Sequence, residues 1–475
     1  MAAQSYVVRR IDPKAAAGTM LAVLGAYGTA LLLAHLTHQH AQLMVLAVVL
    51  TLTLDRTQRG TDRAHRVRTL VVLPLVAIAA SGVGHLLISH PDAGDALFVA
   101  AIGGSIYLRR FGPAAARAGT LVALPFIALL TTPAVGGGDP TLWAPVIALI
   151  ALAWTNLKRS RPPLGLGDEN PGRARHSAPR TAPANLKRAR PPLGLASTRM
   201  AVQMALALAV AFALGRALFP THWSWVVLTA FIVCSGNRGR GDVVHKSGLR
   251  LVGALGGTAA ATAVAGHIRA GSPATVVAIF VVLGVAVLLR TLSYAYWAAG
   301  ITAVLALLNG YFGVTGALGE RLVGILLGAA IGVAVSWLVL PVRTSDVLRR
   351  RLADALAALS DVLAGHDGAA HRFDGAVDAL EQIAPPLRTI RRAQAIEAMH
   401  ACLAPARTIA AAAHERRARA RRRLGQLARD VGALRRANAG RPFEYDERAA
   451  WPEPDDAFDH ALLELDAALQ ALRQK

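Results

Sequence analysis

The chain has 475 residues, 54% of them hydrophobic and 17% charged, with a mean hydropathy of +0.42. Soluble domains carry about 45–50% apolar and about 25% charged residues, so this balance is that of a membrane protein and excludes disorder over most of the length. Lys and Arg total 51 against 29 Asp and Glu, a net of +22, while two cysteines, Cys234 and Cys402, exclude a disulfide scaffold and a Cys-based zinc or iron–sulfur site.

Up to Pro341, apolar runs alternate with short polar breaks, and each run is long enough to cross or nearly cross a hydrocarbon core. Within residues 1–157 the runs are Ala15–Leu36, Gln39–Leu54, Leu70–Ile88, Ala96–Leu108, Ala115–Thr131 and Leu142–Leu157. Within 200–341 they are Met200–Phe219, Trp223–Ser235, Leu249–Ile268, Ala274–Leu289, Tyr294–Asn309 and Arg321–Leu340. Arg9, Arg10 and Lys14 precede the first run as they would a signal peptide, but its apolar stretch is longer than a signal core, so a retained span is expected. Lys and Arg crowd the N-terminus and the connections after every second run, whereas the alternate connections carry only Arg216, Arg269 and Arg321. Cytoplasmic loops are the basic ones, so both termini are expected in the cytoplasm and the chain in the cell (inner) membrane. Much of the +22 is then topological information; the lipid bilayer, and not nucleic acid, is the expected partner.

The two halves resemble each other. Arg59-Gly60-Thr61-Asp62 follows the second run and Arg240-Gly241-Asp242 the eighth; Arg68 and Arg250 open the next run, and Gly84-His85 and Gly266-His267 close it. Two parallel six-helix repeats, related by an axis along the membrane normal, are expected. Between them, residues 158–199 form a cytoplasmic Pro/Arg-rich linker with a duplication, NLKRSRPPLGLG from Asn156 and NLKRARPPLGLA from Asn185, which reads as flexible chain. Residues 342–475 show heptad-like patterns over Asp346–Leu363, Phe373–Ile383, Ala404–Leu434 and Ala457–Leu472, expected as a cytoplasmic helical domain. The Arg416–Arg423 run reads as a solvated helix face. The fold class expected is all-α: a polytopic membrane protein of about twelve transmembrane helices plus that domain.

Two matching helix starts carry the most specific local signal, RLVGALGG from Arg250 and RLVGILLGAAIG from Arg321. Glycines four apart line one helix face and let a neighbouring backbone come close. An Arg at the edge of hydrocarbon must snorkel or pair: Arg250 reads as an interfacial anchor, and Arg321, on the outer side, is expected to have a partner, with Glu320 beside it. Together with the aromatic-led short run from Trp223 and the basic loop Asn237–Lys246, these residues resemble the fusaric acid resistance family, related to the aromatic acid exporters. The resemblance is strongest over Met200–Pro341. It implies efflux of small, often aromatic, carboxylic acids or related toxic organic anions.

The second and eighth runs are short, and short segments at corresponding positions of two repeats point to a midplane site. The substrate path is therefore expected near Trp223, Trp225, Thr229, Cys234 and Ser235, with Arg250, Arg321 and Asn309 also on it. Tryptophan faces would hold an aromatic ring and an Arg its carboxylate, although Trp223 and Trp225 equally fit an interfacial aromatic belt. No Asp or Glu falls in the middle of a run, so His85 and His267 are the coupling candidates. Gly236–Gly241 is followed by Asp242 where a phosphate loop needs Lys-Ser/Thr, and the His35, His38, His40 cluster lacks the rest of a coordination set. No nucleophile–base constellation points to an enzyme, and neither a cofactor nor a metal is expected. The sequence thus reads as a secondary exporter of small organic acids, compatible with a homo-oligomer. The competing reading is a membrane scaffold acting through the helical domain, drawing on the duplicated linker and the arginine run.

Overall fold

The computed structural model describes residues 12–37, 42–57, 63–131, 143–160, 193–236, 239–265, 271–312, 317–389, 393–444 and 453–473. Among them the fold is all-α, without strands. The chain divides into two compact units, one of residues 1–235 and 246–340, the other of 236–245 and 341–475.

Each apolar run of the first unit falls largely within a helix: α1 (Pro13–Thr37), α2 (Gln42–Thr57), α3 (Arg63–Ser89), α4 (Pro91–Tyr107), α5 (Pro113–Thr131), α6 (Ala144–Ser160), α7 (Leu193–Leu218), α8 (Trp223–Cys234), α9 (Arg240–Ala265), α10 (Pro273–Leu289), α11 (Tyr294–Tyr311) and α12 (Ala317–Leu338). Helices α3, α4, α7 and α9 begin five to nine residues before the expected runs, and α9 takes in Arg240–Lys246 of the expected basic loop, because polar residues continue a helix once it has started. Four of these helices, α1, α3, α7 and α12, contain a stretch long and apolar enough to cross a membrane, and α2, α5, α6, α8 and α10 are shorter and apolar. Leu32, Leu75, Val281 and Leu326 are among many large apolar side chains left exposed, a surface that hydrocarbon would cover and water would not. The helix starts follow ordinary rules. Pro273 and Tyr294 each follow a serine, Ser272 and Ser293, whose hydroxyl accepts from the backbone N–H of Ala274 and of Ala295.

Some helix contacts recur six helices apart. Helix α6 sits against α1 and α2 as α12 sits against α7 and α8, and α4 packs on α7 as α10 packs on α1. A Cβ at Gly119 on α5 would lie 2.1 Å from the Ser105 carbonyl oxygen on α4, and one at Gly300 on α11 would lie 2.2 Å from the Ala286 Cβ on α10. The two glycines and their two partners are equally far apart in sequence, so both crossings fall at equivalent positions. At the centre, nine of the 12 residues of α8 are buried, and the helix is only about 18 Å long.

In the second unit, α13 (Thr344–Ala364), α14 (Ala369–Glu381), α15 (Ala384–Thr389), α16 (Gln394–Ala401), α17 (Leu403–Ala411), α18 (His414–Arg419), α19 (Arg421–Asn438) and α20 (Ala457–Arg473) enclose a core that includes Leu359, Phe373, Ile396, Met399, Leu427 and Leu465. The continuous pattern expected over Ala404–Leu434 is broken into three helices, because Ala412 and Ala413 are extended and Arg417 turns inward. Its guanidinium donates to the carbonyls of Ile409, Val362 and Leu363 at 2.8–3.1 Å, so it satisfies the last turn of α13, which ends on left-handed Gly365. Of the arginine run, Arg417 thus turns inward, while exposed Arg416 pairs with Asp456 and Arg423 bonds Asp459 at 2.7 Å. Residues 236–245 belong here, with Arg240 N–H on the Val342 carbonyl and Gly241 N–H on Thr344 Oγ1, both at 3.1 Å. Most of the duplicated linker lies outside the described residues, as do His38, His40 and His267.

A candidate anion-binding cavity

The glycine faces bring two helix pairs into backbone contact. On α12, a Cβ at Gly328 would stand 2.4 Å from the Val226 carbonyl oxygen of α8, and one at Gly332 would stand 2.7 Å from Val233 Cγ1. On α9, Cβ atoms at Gly253 and Gly257 would stand 2.6 and 2.2 Å from the carbonyl oxygens of Ala295 and Ala299 on α11. Each of these faces begins one turn after an arginine, and the close approach carries that arginine into the interior. Arg250 is 2% exposed and Arg321 1%.

Nε and Nη2 of Arg250 and all three guanidinium nitrogens of Arg321 are buried without a hydrogen-bond partner among the described residues. Glu320, expected beside Arg321, instead lies 2.9 Å from Nδ1 of His222. What Arg321 has is the ring of Trp225, 4.2 Å from its Cζ. A cation–π contact contributes up to about 2 kcal/mol when desolvated, whereas a buried charge without a counter-ion costs several kcal/mol. An anion is the group that offsets the difference, and a guanidinium presents a planar fork to a carboxylate.

Arg250 borders a cavity of about 430 Å³ between helices of both halves. Tyr27, Phe280, Tyr294, Trp297, Tyr311 and Phe312 supply aromatic wall, aliphatic side chains of α2, α8, α10 and α11 supply most of the rest, and Ser235, Lys246 and Thr53 add polar groups. Lys246 Nζ lies 3.3 Å from the Ser235 carbonyl oxygen. A pocket of this size, mainly apolar and with few cations, suits a small ring bearing a negative charge.

Of the residues singled out in the sequence, Ser235 and Arg250 line the cavity. Trp225 and Thr229 are buried at the α8–α12 contact, and the Thr229 hydroxyl has no partner. Cys234 is buried there too, its Sγ 3.8 Å from the Gly332 carbonyl oxygen. Trp223 belongs to a different cluster: its ring lies under Arg216, 4.4 Å away, and Arg216 binds both oxygens of Asp95 at 2.6 and 2.7 Å. That pair accounts for a basic residue in a connection otherwise poor in them. Asn309 is half-buried, with its neighbours Leu308 and Tyr311, and not itself, on the cavity wall. His85 is exposed on α3, away from the cavity.

Sequence reasoning missed the aromatic wall and an ionic cluster. Tyr294-Ala-Tyr296-Trp297 at the head of α11 has the same aromatic-led form as Trp223-Ser-Trp225 and was the available signal. Asp55, 2% exposed at the end of α2, accepts from Lys158 Nζ at 2.6 Å and from the Thr19 hydroxyl at 2.9 Å, with Arg290 Nη2 at 3.9 Å. A search confined to the middles of the runs passes over a carboxylate at a run's end.

Among the described residues the chain is all-helical, with exposed apolar helices that suggest a membrane protein and an aromatic-walled cavity bordered by Arg250 and Lys246. Residues 205–335, from α7 to α12, match the family model described as fusaric acid resistance protein-like. The matched stretch contains Trp225, Arg250 and Arg321. Comparison with curated proteins and with solved structures gave no match.

Proposed function

We propose that the protein exports small aromatic or other organic anions across the cell (inner) membrane by secondary transport, with α1–α12 as twelve spans in two parallel repeats and both termini in the cytoplasm. The observation that carries this reading is Arg250: a guanidinium with unpartnered nitrogens on the wall of an apolar, aromatic-lined cavity. The charge would hold the carboxylate and the rings of Trp297, Tyr294 and Phe280 would hold the aromatic body. Ser235 and Lys246 flank the carboxylate, and Trp225, Thr229 and Arg321 continue the path on α8 and α12; Asn309 would enter it by rotation of α11. Helix packing that recurs after six helices supports the repeat. His85 and His267 are kept as coupling groups on sequence grounds alone.

The test is uptake of labelled benzoate into inside-out vesicles containing the full chain, with and without an imposed pH gradient. Accumulation above protein-free vesicles, reduced at least ten-fold by Arg250→Gln and restored in part by Arg250→Lys, is expected. Equal uptake of benzamide, the uncharged isostere, would refute recognition of the anion.

A further inference from the structure

Arg250 and Arg321 differ in one respect that the transport reading leaves unused. Arg250 stands on the cavity wall, whereas Arg321 and Trp225 are absent from it. Arg321 is sealed, its Cζ 4.2 Å from the centre of the Trp225 ring and its three guanidinium nitrogens meeting no acceptor among the described residues. Its nearest carboxylate in sequence, Glu320, is engaged by His222. Stacking uses the face of a guanidinium and leaves the in-plane N–H groups free, so the donors that bind a carboxylate in a fork are the ones unused here. A cation buried in this way, with its donors vacant and an aromatic side chain over it, is organised to receive an anion that arrives from elsewhere.

We infer that Arg321 is a second anion station, closed by Trp225, which takes the anion from Arg250 when the indole swings aside. Transfer moves the negative charge from α9 to α12. The inference deepens the transport reading and assigns the two arginines successive roles: Arg250 loads from the cavity, and Arg321 holds the anion beyond it.

The test reads Trp225 directly in the full chain reconstituted in nanodiscs, with iodide as both monovalent anion and collisional quencher. The Trp225 share of the fluorescence is the wild-type signal minus that of Trp225→Phe. Iodide is expected to quench this share saturably and caesium to leave it unchanged. Arg321→Gln should lower the iodide quenching constant at least five-fold, while Arg321→Lys, which keeps the charge, stays within about two-fold of wild type. Quenching of the Trp225 share that is absent, or equal in wild type and Arg321→Gln, overturns the second station. Benzoate separates this from the parent reading. If benzoate crosses at the wild-type rate in Arg321→Gln, the station falls and export stands; if iodide reaches Arg321 but benzoate neither competes nor crosses, the station stands and organic-acid export falls.

Discussion

Gly256 and Gly257 are adjacent on α9, yet alanine should act on them with opposite sign. A Cβ at Gly257 would fall 2.2 Å from the Ala299 carbonyl oxygen and 2.9 Å from Thr302 Cβ, whereas one at Gly256 meets nothing within 4 Å. Ordinary contact begins at 3.4 Å, so Gly257→Ala requires α9 and α11 to part by roughly 1 Å along a face that also holds Gly253. Overpacking of this kind costs about 1–3 kcal/mol, set against a gain of up to about 1 kcal/mol for replacing a helical glycine by alanine. Gly257→Ala should therefore lose up to about 2 kcal/mol and Gly256→Ala gain up to about 1 kcal/mol. Arg250 lies two turns before Gly257 on the same helix, so the wider spacing should also weaken benzoate binding in Gly257→Ala alone. The assay is thermal unfolding of the detergent-solubilised protein, followed by the loss of its monodisperse chromatographic peak, beside benzoate binding. If Gly257→Ala proved at least as stable as Gly256→Ala, the close α9–α11 approach would be wrong, and with it the burial of Arg250.

Asp55→Asn should destabilise the first unit by about 3 kcal/mol or more, because Lys158 and Arg290 lose the carboxylate that neutralises them, and the double variant with Lys158→Met should recover part of that loss in the same unfolding assay. Arg417→Ala removes three donated hydrogen bonds to carbonyls and should cost the second unit about 2–4 kcal/mol, with Arg417→Lys recovering less than half, as measured by hydrogen exchange at the end of α13. Burial pushes the Cys402 thiol up to about 12, so maleimide should label it at pH 8 only after unfolding. The folded thiol holds its proton above the pH at which the unfolded one releases it. Its contribution to stability is complete below about pH 9 and declines toward pH 12, and Cys402→Ala should flatten the fall in stability over that window.

Two buried arginines, Arg250 and Arg321, carry a desolvation cost that a bound anion would offset. Ligand binding raises stability by mass action, so if the proposed site is correct an accepted anion should also protect the protein against heat.

Much of this protein follows from the order of its residues. Every apolar run became a helix, and the boundaries of Trp223–Cys234 or Pro273–Leu289 could be read from where hydropathy starts and stops, because a backbone that leaves water must bond to itself. The glycine spacing after Arg250 and Arg321 likewise announced close contacts, since both ends of that signal lie within one helix. What the glycines would touch was another matter. That Arg321 stacks on Trp225 while Glu320 binds His222, and that Asp55 meets Lys158, depends on which helices are neighbours, a choice made by packing between segments far apart in sequence. The cavity belongs to the same class: Tyr27 and Trp297 share its wall through the fold alone, and Trp223, the more conspicuous tryptophan, was drawn away to Arg216 and Asp95. Local periodicity fixed the helices because their hydrogen bonds are local, and tertiary contact decided the site because a cavity exists only between elements.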